Sequence, residues 1–355
     1  MFDYDVVVIG GGQAGLSIGY YLQKQGLRFI ILEKEDRVGT SWRERYDSLV
    51  LFTPRAFNDL PGFPFPGERS GLPDKNEAAH YLEEYASHFH LPIQLGVQVV
   101  RVEKASSDAG DFRVHTQEQV FTARAVIVAT GPFQEPFWPA LHKNADKKVV
   151  QHHTATYRNE EALAPGTVLV VGGGNSGVQI AVELAEKHHV LLSMGQSRSF
   201  LPLTILGKTI FTYMRALGIL TAPASSWFGK LYRSLPDPIF GYCKEMRALQ
   251  RAGKLKLAPR TVSIDGNIVT FADETTAEVS SIIWATGYRP HYQWLEIPGA
   301  LDDQGHPIHT RGVSSAPGLY YLGLPWQSSR QSALMGGVGQ DAQMLSTHIA
   351  AYLGV

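Results

Sequence analysis

Two glycine patterns in this chain have the types and spacing to hold phosphate. Val6-Val7-Val8-Ile9 runs into Gly10-Gly11-Gly12-Gln13-Ala14-Gly15, and Val168-Leu169-Val170-Val171 runs into Gly172-Gly173-Gly174-Asn175-Ser176-Gly177. Each reads G-x-G-x-x-G at the end of an apolar strand and the start of a helix. The first glycine permits a tight turn, the second lets backbone approach a pyrophosphate, and the third lets helix and strand pack closely. The phosphates then sit at a helix N-terminus, where unpaired N–H groups and the dipole favour negative charge. One such pattern is a weak signal. Two in one chain point to two dinucleotides and to electron transfer between them.

The residues that would hold the riboses differ between the two patterns. Glu33 ends the apolar run Arg28-Phe29-Ile30-Ile31-Leu32, close to the roughly 20-residue offset at which a carboxylate takes a ribose hydroxyl. The same offset after the second pattern falls on Gly195, with Gln196 and Arg198 close behind. A neutral, hydrogen-bonding pocket with one cation nearby predicts poor discrimination between NADH and NADPH.

The elements that must position these residues read as strand–helix units. Residues 1–33 form β-α-β around the first pattern, and residues 76–88 have helical periodicity. Alternating segments 98–103, 112–116 and 119–122 predict a small antiparallel meander. The buried strand 125–129 then runs into Thr130 and Gly131. A second strand, 282–285, runs into Thr286 and Gly287, so Ala-Thr-Gly occurs twice where small residues let backbone approach a ligand. The tail carries a strand over 319–323 and a glycine-rich helix start, Gly336-Gly337-Val338-Gly339-Gln340-Asp341, suited to an electron-rich flavin edge. The expected fold is α/β, with two Rossmann-like dinucleotide-binding units, the second inserted in the first. Residues 1–150 with 285–355 make the first unit, and 151–284 make the second.

The bulk numbers exclude several classes. A chain of 355 residues has room for two domains. With 44% hydrophobic residues, 18% charged and net charge −1, its balance argues against a nucleic-acid partner held by a basic face. The single cysteine, Cys243, excludes an internal disulfide and the Cys pair of the disulfide reductases. Cysteine usage, and a first strand that starts by Asp5, predict a cytoplasmic protein without a signal peptide. The apolar region 200–242 is interrupted by Lys208, Arg215, Lys230 and Arg233, which argues against a transmembrane segment. Two amphipathic helices over the cleft are expected there, with a homodimer contact or a peripheral membrane contact as alternatives.

These motifs together carry a resemblance. Over essentially its whole length the chain resembles the two-dinucleotide-binding-domain flavoproteins, and among them the flavin-containing monooxygenases (class B) of short bacterial type. Val38-Gly39-Thr40-Ser41-Trp42 resembles the family's G-G-x-W segment, which wraps the FAD. Leu51-x-Thr53-Pro54 and Pro61-Gly62-Phe63-Pro64-Phe65-Pro66 follow in the family's order. The resemblance implies FAD at Gly10, Gly12, Gln13, Ala14, Gly15, Glu33, Lys34, Thr40, Ser41, Trp42, Val99, Thr130, Gly131, Gln340 and Asp341. It implies NADPH or NADH at Gly172, Gly174, Asn175, Ser176, Gly177, Gly195, Gln196, Arg198, Thr286 and Gly287, and it implies no metal.

Two departures bear on the chemistry. The signature F-x-G-x-x-x-H-x-x-x-Y keeps His153 and Tyr157 at a domain crossing, but Lys147 and Val149 replace its Phe and Gly. Counting back from Leu60, the position where relatives place an Asn near flavin C4a is Phe52. Asn58 is the nearby amide, with a turn role as the expected alternative. The implied reaction is hydride transfer from NAD(P)H to FAD, then oxygenation by a flavin C4a-hydroperoxide at sulfur or nitrogen of a small apolar substrate, with O2 consumed. Baeyer–Villiger oxidation of ketones is a variant. The alternatives are an NAD(P)H oxidase or reductase that passes electrons to a quinone, metal ion or partner protein, and a flavin-bound redox sensor.

Overall fold

Strand Tyr4–Ile9 is β-branched along Val6, Val7, Val8 and Ile9 and is covered on both faces, which is how an unbroken apolar run is accommodated in a parallel sheet. The computed structural model describes residues 2–105 and 111–355. Tyr4–Ile9 lies between Phe29–Leu32 and Val120–Val128, parallel to both. Strand Val120–Val128 serves two arrangements. Its first half pairs antiparallel with Phe112–Thr116, and its second half lies parallel to Leu319–Tyr321. Segments 119–122 and 125–129, expected as separate strands, are thus one continuous strand, because Ala123 and Arg124 between them supply no turn.

The C-terminal strand therefore returns to the first sheet. Helix Val338–Leu353 then packs beside helix Gln13–Lys24, with Leu16, Ile18 and Leu22 meeting Leu345 and Ile349 in one buried cluster. Helix Lys75–His88 closes the same cluster through Ala78, Tyr81, Leu82 and Tyr85, and Asp74 and Glu77 form a capping box at its start.

The second sheet has the order Leu255–Ala258, His189–Ser193, Thr167–Val171, Ser281–Trp284, Val150–His153, all parallel. Residues 138–149, expected in the first unit, pack on this second one. Trp138, Leu141 and Val149 join the cluster of Leu169, Ile282 and Trp284. The two crossings meet as an antiparallel pair, Glu135–Pro136 with Tyr288–Arg289.

Region 200–242 contains two helices, Ile210–Ala216 and Trp227–Ser234. Ile210, Phe211, Met214, Leu220 and Phe240 make a small core there, against which Phe52 and Phe57 pack. Among the described residues no helix is long and apolar enough to cross a membrane.

Candidate functional site

The two fingerprints share a geometry that separates their glycines by cause. Gly10 and Gly172 have φ of +108° and +117°, and a Cβ on them would lie 2.7 Å from Ala129 O and 2.2 Å from Ala285 O. A Cβ on Gly15 or Gly177 would fall 1.9 Å from the carbonyl oxygen of Gly10 or Gly172. The protein itself requires those four glycines. The middle pair is different. Gly12 and Gly174 have ordinary extended backbone, φ −78° at each, and a Cβ there would meet nothing within 4 Å. Any residue could occupy these positions unless something outside the chain comes close.

Each first glycine packs against the Ala of an Ala-Thr-Gly segment, so the duplication seen in sequence becomes two equivalent cradles. Gly131 and Gly287, at φ +67° and +80°, also face open space. Thr130 Oγ1 accepts a hydrogen bond from Gln134 Nε2 at 3.0 Å, and the Thr286 hydroxyl donates to Phe137 O. These bonds hold the two loops in place.

The backbone register corrects the position opposite Glu33. Gly10 N donates to Leu32 O at 2.8 Å and Gly172 N donates to Ser193 O at 2.9 Å. Glu33 is therefore matched by Met194, not by Gly195. Side-chain contacts agree: a Cβ on Gly11 would meet Glu33 Oε2 at 3.1 Å, and one on Gly173 would meet Met194 Cε at 2.6 Å. Glu33 Oε2 accepts from Gly11 N at 2.5 Å, and Glu33 Oε1 accepts from Glu35 N at 3.1 Å. An apolar thioether replaces this carboxylate in the second cradle. Counting residues failed because the arm from the third glycine to the strand end is one residue shorter in the second unit.

A cation that counting also missed lies beside Gly195. A Cβ on Gly195 would be 3.2 Å from Arg260 Nε and 3.3 Å from Arg260 Nη2. Arg260 follows the strand Leu255–Ala258, which pairs with His189–Ser193. Arg198 is instead turned to Asp237 O at 2.9 Å, and Gln196 is exposed. The cation beside Gly195 is thus Arg260, where the sequence offered Arg198.

His153 and Tyr157 are both fully buried. His153 Nε2 donates to Gly287 O at 3.0 Å, and Nδ1 accepts from Ala155 N at 3.1 Å. Those partners specify the neutral tautomer with the proton on Nε2. Burial holds the imidazole below the usual histidine range, opposed by the bond to Gly287 and aided by Arg45. Tyr288 meets the His153 ring edge-on, and the Arg45 guanidinium lies 5.0 Å above Tyr288 and 5.2 Å above Phe133. Tyr157 sits in the core of the second unit, its hydroxyl 3.5 Å from Glu183 Oε1.

The two residues expected beside flavin C4a both have partners within the chain. The Phe52 ring stacks on Phe240 and Phe211 with centroids 5.3 and 6.0 Å apart, so it packs against the insertion's core. Asn58 is fully buried. Its Oδ1 accepts from Thr53 Oγ1 at 2.7 Å, and its Nδ2 donates to Thr53 O and Pro54 O at 2.8 and 3.2 Å. This is the turn role, and no donor of that amide is free to face a ligand.

Around these loops, a cavity of about 170 Å³ is lined by Thr53, Phe57, Phe211, Arg215, Leu334 and Gln340, among others. Arg215 lies over the Phe57 ring at 4.7 Å. Asp341 is 3% exposed; its Oδ1 accepts from the Ser328 hydroxyl, whereas its buried Oδ2 has no partner. A carboxylate oxygen in that state marks a missing donor. Gln340 Oε1 accepts from Gln331 Nε2 at 2.8 Å. Of the remaining residues, Trp42 packs on the first core and Val99 on the second face of the first sheet. Lys34 pairs with Glu35, Thr40 Oγ1 donates to Arg37 O, and Ser41 O accepts from Arg45 Nε. Asn175 Oδ1 accepts from Phe240 N at 3.2 Å, which ties the second fingerprint to the insertion.

Comparison with known proteins follows this geometry. A family model described as pyridine nucleotide-disulphide oxidoreductase matches residues 7–199. The chain is 50% identical to an uncharacterized oxidoreductase, CzcO-like, of Geobacillus kaustophilus (strain HTA426), over 97% of this chain and 98% of that one. It is 30% identical to the probable indole-3-pyruvate monooxygenase YUCCA1 of Arabidopsis thaliana, over 97% and 89%. A solved flavin-containing monooxygenase from Stenotrophomonas maltophilia superposes with a TM-score of 0.82 at 29% identity, covering 99% of each chain.

Proposed function

The chain belongs to the flavin-containing monooxygenases within the pyridine nucleotide-disulphide oxidoreductase family, enzymes that use FAD with NADPH or NADH, and we propose how its two cradles divide those cofactors. FAD takes the first cradle and the nicotinamide coenzyme the second. The observation that carries this is the pair of middle glycines, Gly12 and Gly174, whose backbone and surroundings leave room for a side chain that neither has. Residues up to the crossing at 133–137, with those after 288, serve FAD; the residues between serve the coenzyme.

When bound, FAD supplies the hydride acceptor and the place where dioxygen is activated. The chain's own residues bind, orient and exclude water. Backbone N–H groups at the starts of Gln13–Lys24 and Asn175–Leu184 face the two pyrophosphates, and Glu33 takes the flavin's adenosine ribose. His153 fixes the carbonyl of Gly287 and with it the loop that closes the second cradle. Met194 neither claims a free 2′-hydroxyl nor repels a 2′-phosphate, so both coenzymes are admitted. The cavity between the 52–59 loop, the insertion and the last helix takes the substrate, a small molecule oxygenated at sulfur or nitrogen, with ketones as a variant. Phe57, Phe211 and Leu334 give it an apolar wall, and Arg215 and Gln340 give it polar groups.

A second reading is an NAD(P)H oxidase or reductase delivering electrons to a quinone, metal ion or partner protein. The closed bonding of Asn58 favours it, because that amide supplies no donor for bound oxygen. An oxygen balance separates the two. NADPH consumption with aryl sulfides, amines and ketones is compared with oxygenated product and peroxide. Product in any series supports the monooxygenase; peroxide alone across all three overturns it in favour of the oxidase.

A further inference from the structure

In the first unit, a carboxylate stands where strand Phe29–Leu32 ends. In the second unit Met194 and Gly195 follow the end of the corresponding strand, and neither side chain can recognise a ribose substituent by charge. The guanidinium of Arg260 lies beside the space that a side chain at 195 would occupy, with Nε, Nη2 and Cζ at 3.2, 3.3 and 3.6 Å from the Cβ position. Arg260 arrives there because Ser193 and Ala258 are register partners in adjacent parallel strands, so the turn after Ala258 overlies the turn after Ser193. Its side chain is exposed and has no carboxylate partner among the described residues. A planar guanidinium with free donors suits bidentate binding of a phosphate.

We propose that Arg260 is the residue that selects NADPH, by binding the 2′-phosphate of the coenzyme beside Gly195. This rests on the assignment of the second cradle to the coenzyme. It refines that assignment: the missing acid admits both coenzymes, and the arginine from the neighbouring strand favours the phosphorylated one.

The test is calorimetric binding of 2′,5′-ADP and 5′-AMP to the purified flavoprotein, wild type and R260Q, with G174V as the site control. The expected result is tighter binding of 2′,5′-ADP than 5′-AMP by wild type. R260Q should weaken 2′,5′-ADP by tenfold or more, leave 5′-AMP unchanged and flatten the salt dependence of the first. G174V should abolish both while flavin content stays full. If G174V removes both nucleotides but R260Q leaves 2′,5′-ADP at wild-type affinity, or weakens both equally, the role of Arg260 is overturned and the site stands. If G174V leaves both nucleotides bound, the site assignment itself falls. A carboxylate introduced by M194E should move preference towards 5′-AMP, with R260Q removing what remains for 2′,5′-ADP.

Discussion

Replacing Gly12 by valine should give a folded protein that has lost its flavin, and replacing Gly15 by alanine should give a protein that folds poorly. The two positions are three residues apart in one fingerprint, but the structure assigns their glycines to different causes. At Gly12 the backbone is extended, φ −78° and ψ −171°, at the start of helix Gln13–Lys24, and a Cβ has no neighbour within 4 Å. Stability of the flavin-free protein should therefore change by no more than about 1 kcal/mol. At Gly15 the Cβ would sit 1.9 Å from Gly10 O, which forces the helix off the strand at about 3 kcal/mol. For FAD the order reverses in kind. A side chain at Gly12 pushes the pyrophosphate off the helix start, and losing two charge-assisted bonds at about 1.5 kcal/mol each weakens FAD more than 100-fold. The assay is flavin stoichiometry by absorbance, with urea unfolding of flavin-stripped protein, since bound FAD would itself stabilise the wild type. Full flavin in Gly12→Val, or unfolding as severe as in Gly15→Ala, would refute the reasoning.

His153 pins the crossing through Gly287 O and Ala155 N, so His153→Ala should cost about 2–4 kcal/mol in urea unfolding, from two lost bonds and a buried void. Because burial depresses its protonation in the folded state, its contribution is present above the ordinary histidine range and is lost as pH falls. The wild-type urea midpoint should therefore drop on acidification more steeply than that of His153→Gln; equal slopes would show that this imidazole stays uncharged or is not the group responsible. Phe52→Asn should lower thermal stability by about 2 kcal/mol through lost stacking on Phe211 and Phe240 and leave flavin reoxidation unchanged, with Phe52→Leu restoring most of the stability. Altered reoxidation without a stability loss would return Phe52 to the flavin.

What the sequence determined alone is what depends on short-range sterics. The turn at Gly10, the close approach of Gly15 to that turn, and the unbroken apolar strands around them follow from residues a few positions apart, so both cradles and the α/β class were legible from residue types and spacing. Tertiary structure decided whatever depends on how long a connection is or which strands become neighbours. The second arm is one residue shorter, so Met194 rather than Gly195 stands opposite Glu33, and a fixed offset cannot register that. Arg260 meets Gly195 only because two parallel strands pair in register, a contact with no trace in the order of the residues. Phe52 stacks on Phe211 and Phe240, a contact with residues more than a hundred positions downstream that spacing along the chain does not reveal. Asn58 closed on its own loop because a fully buried amide must find partners, and the nearest were Thr53 and Pro54.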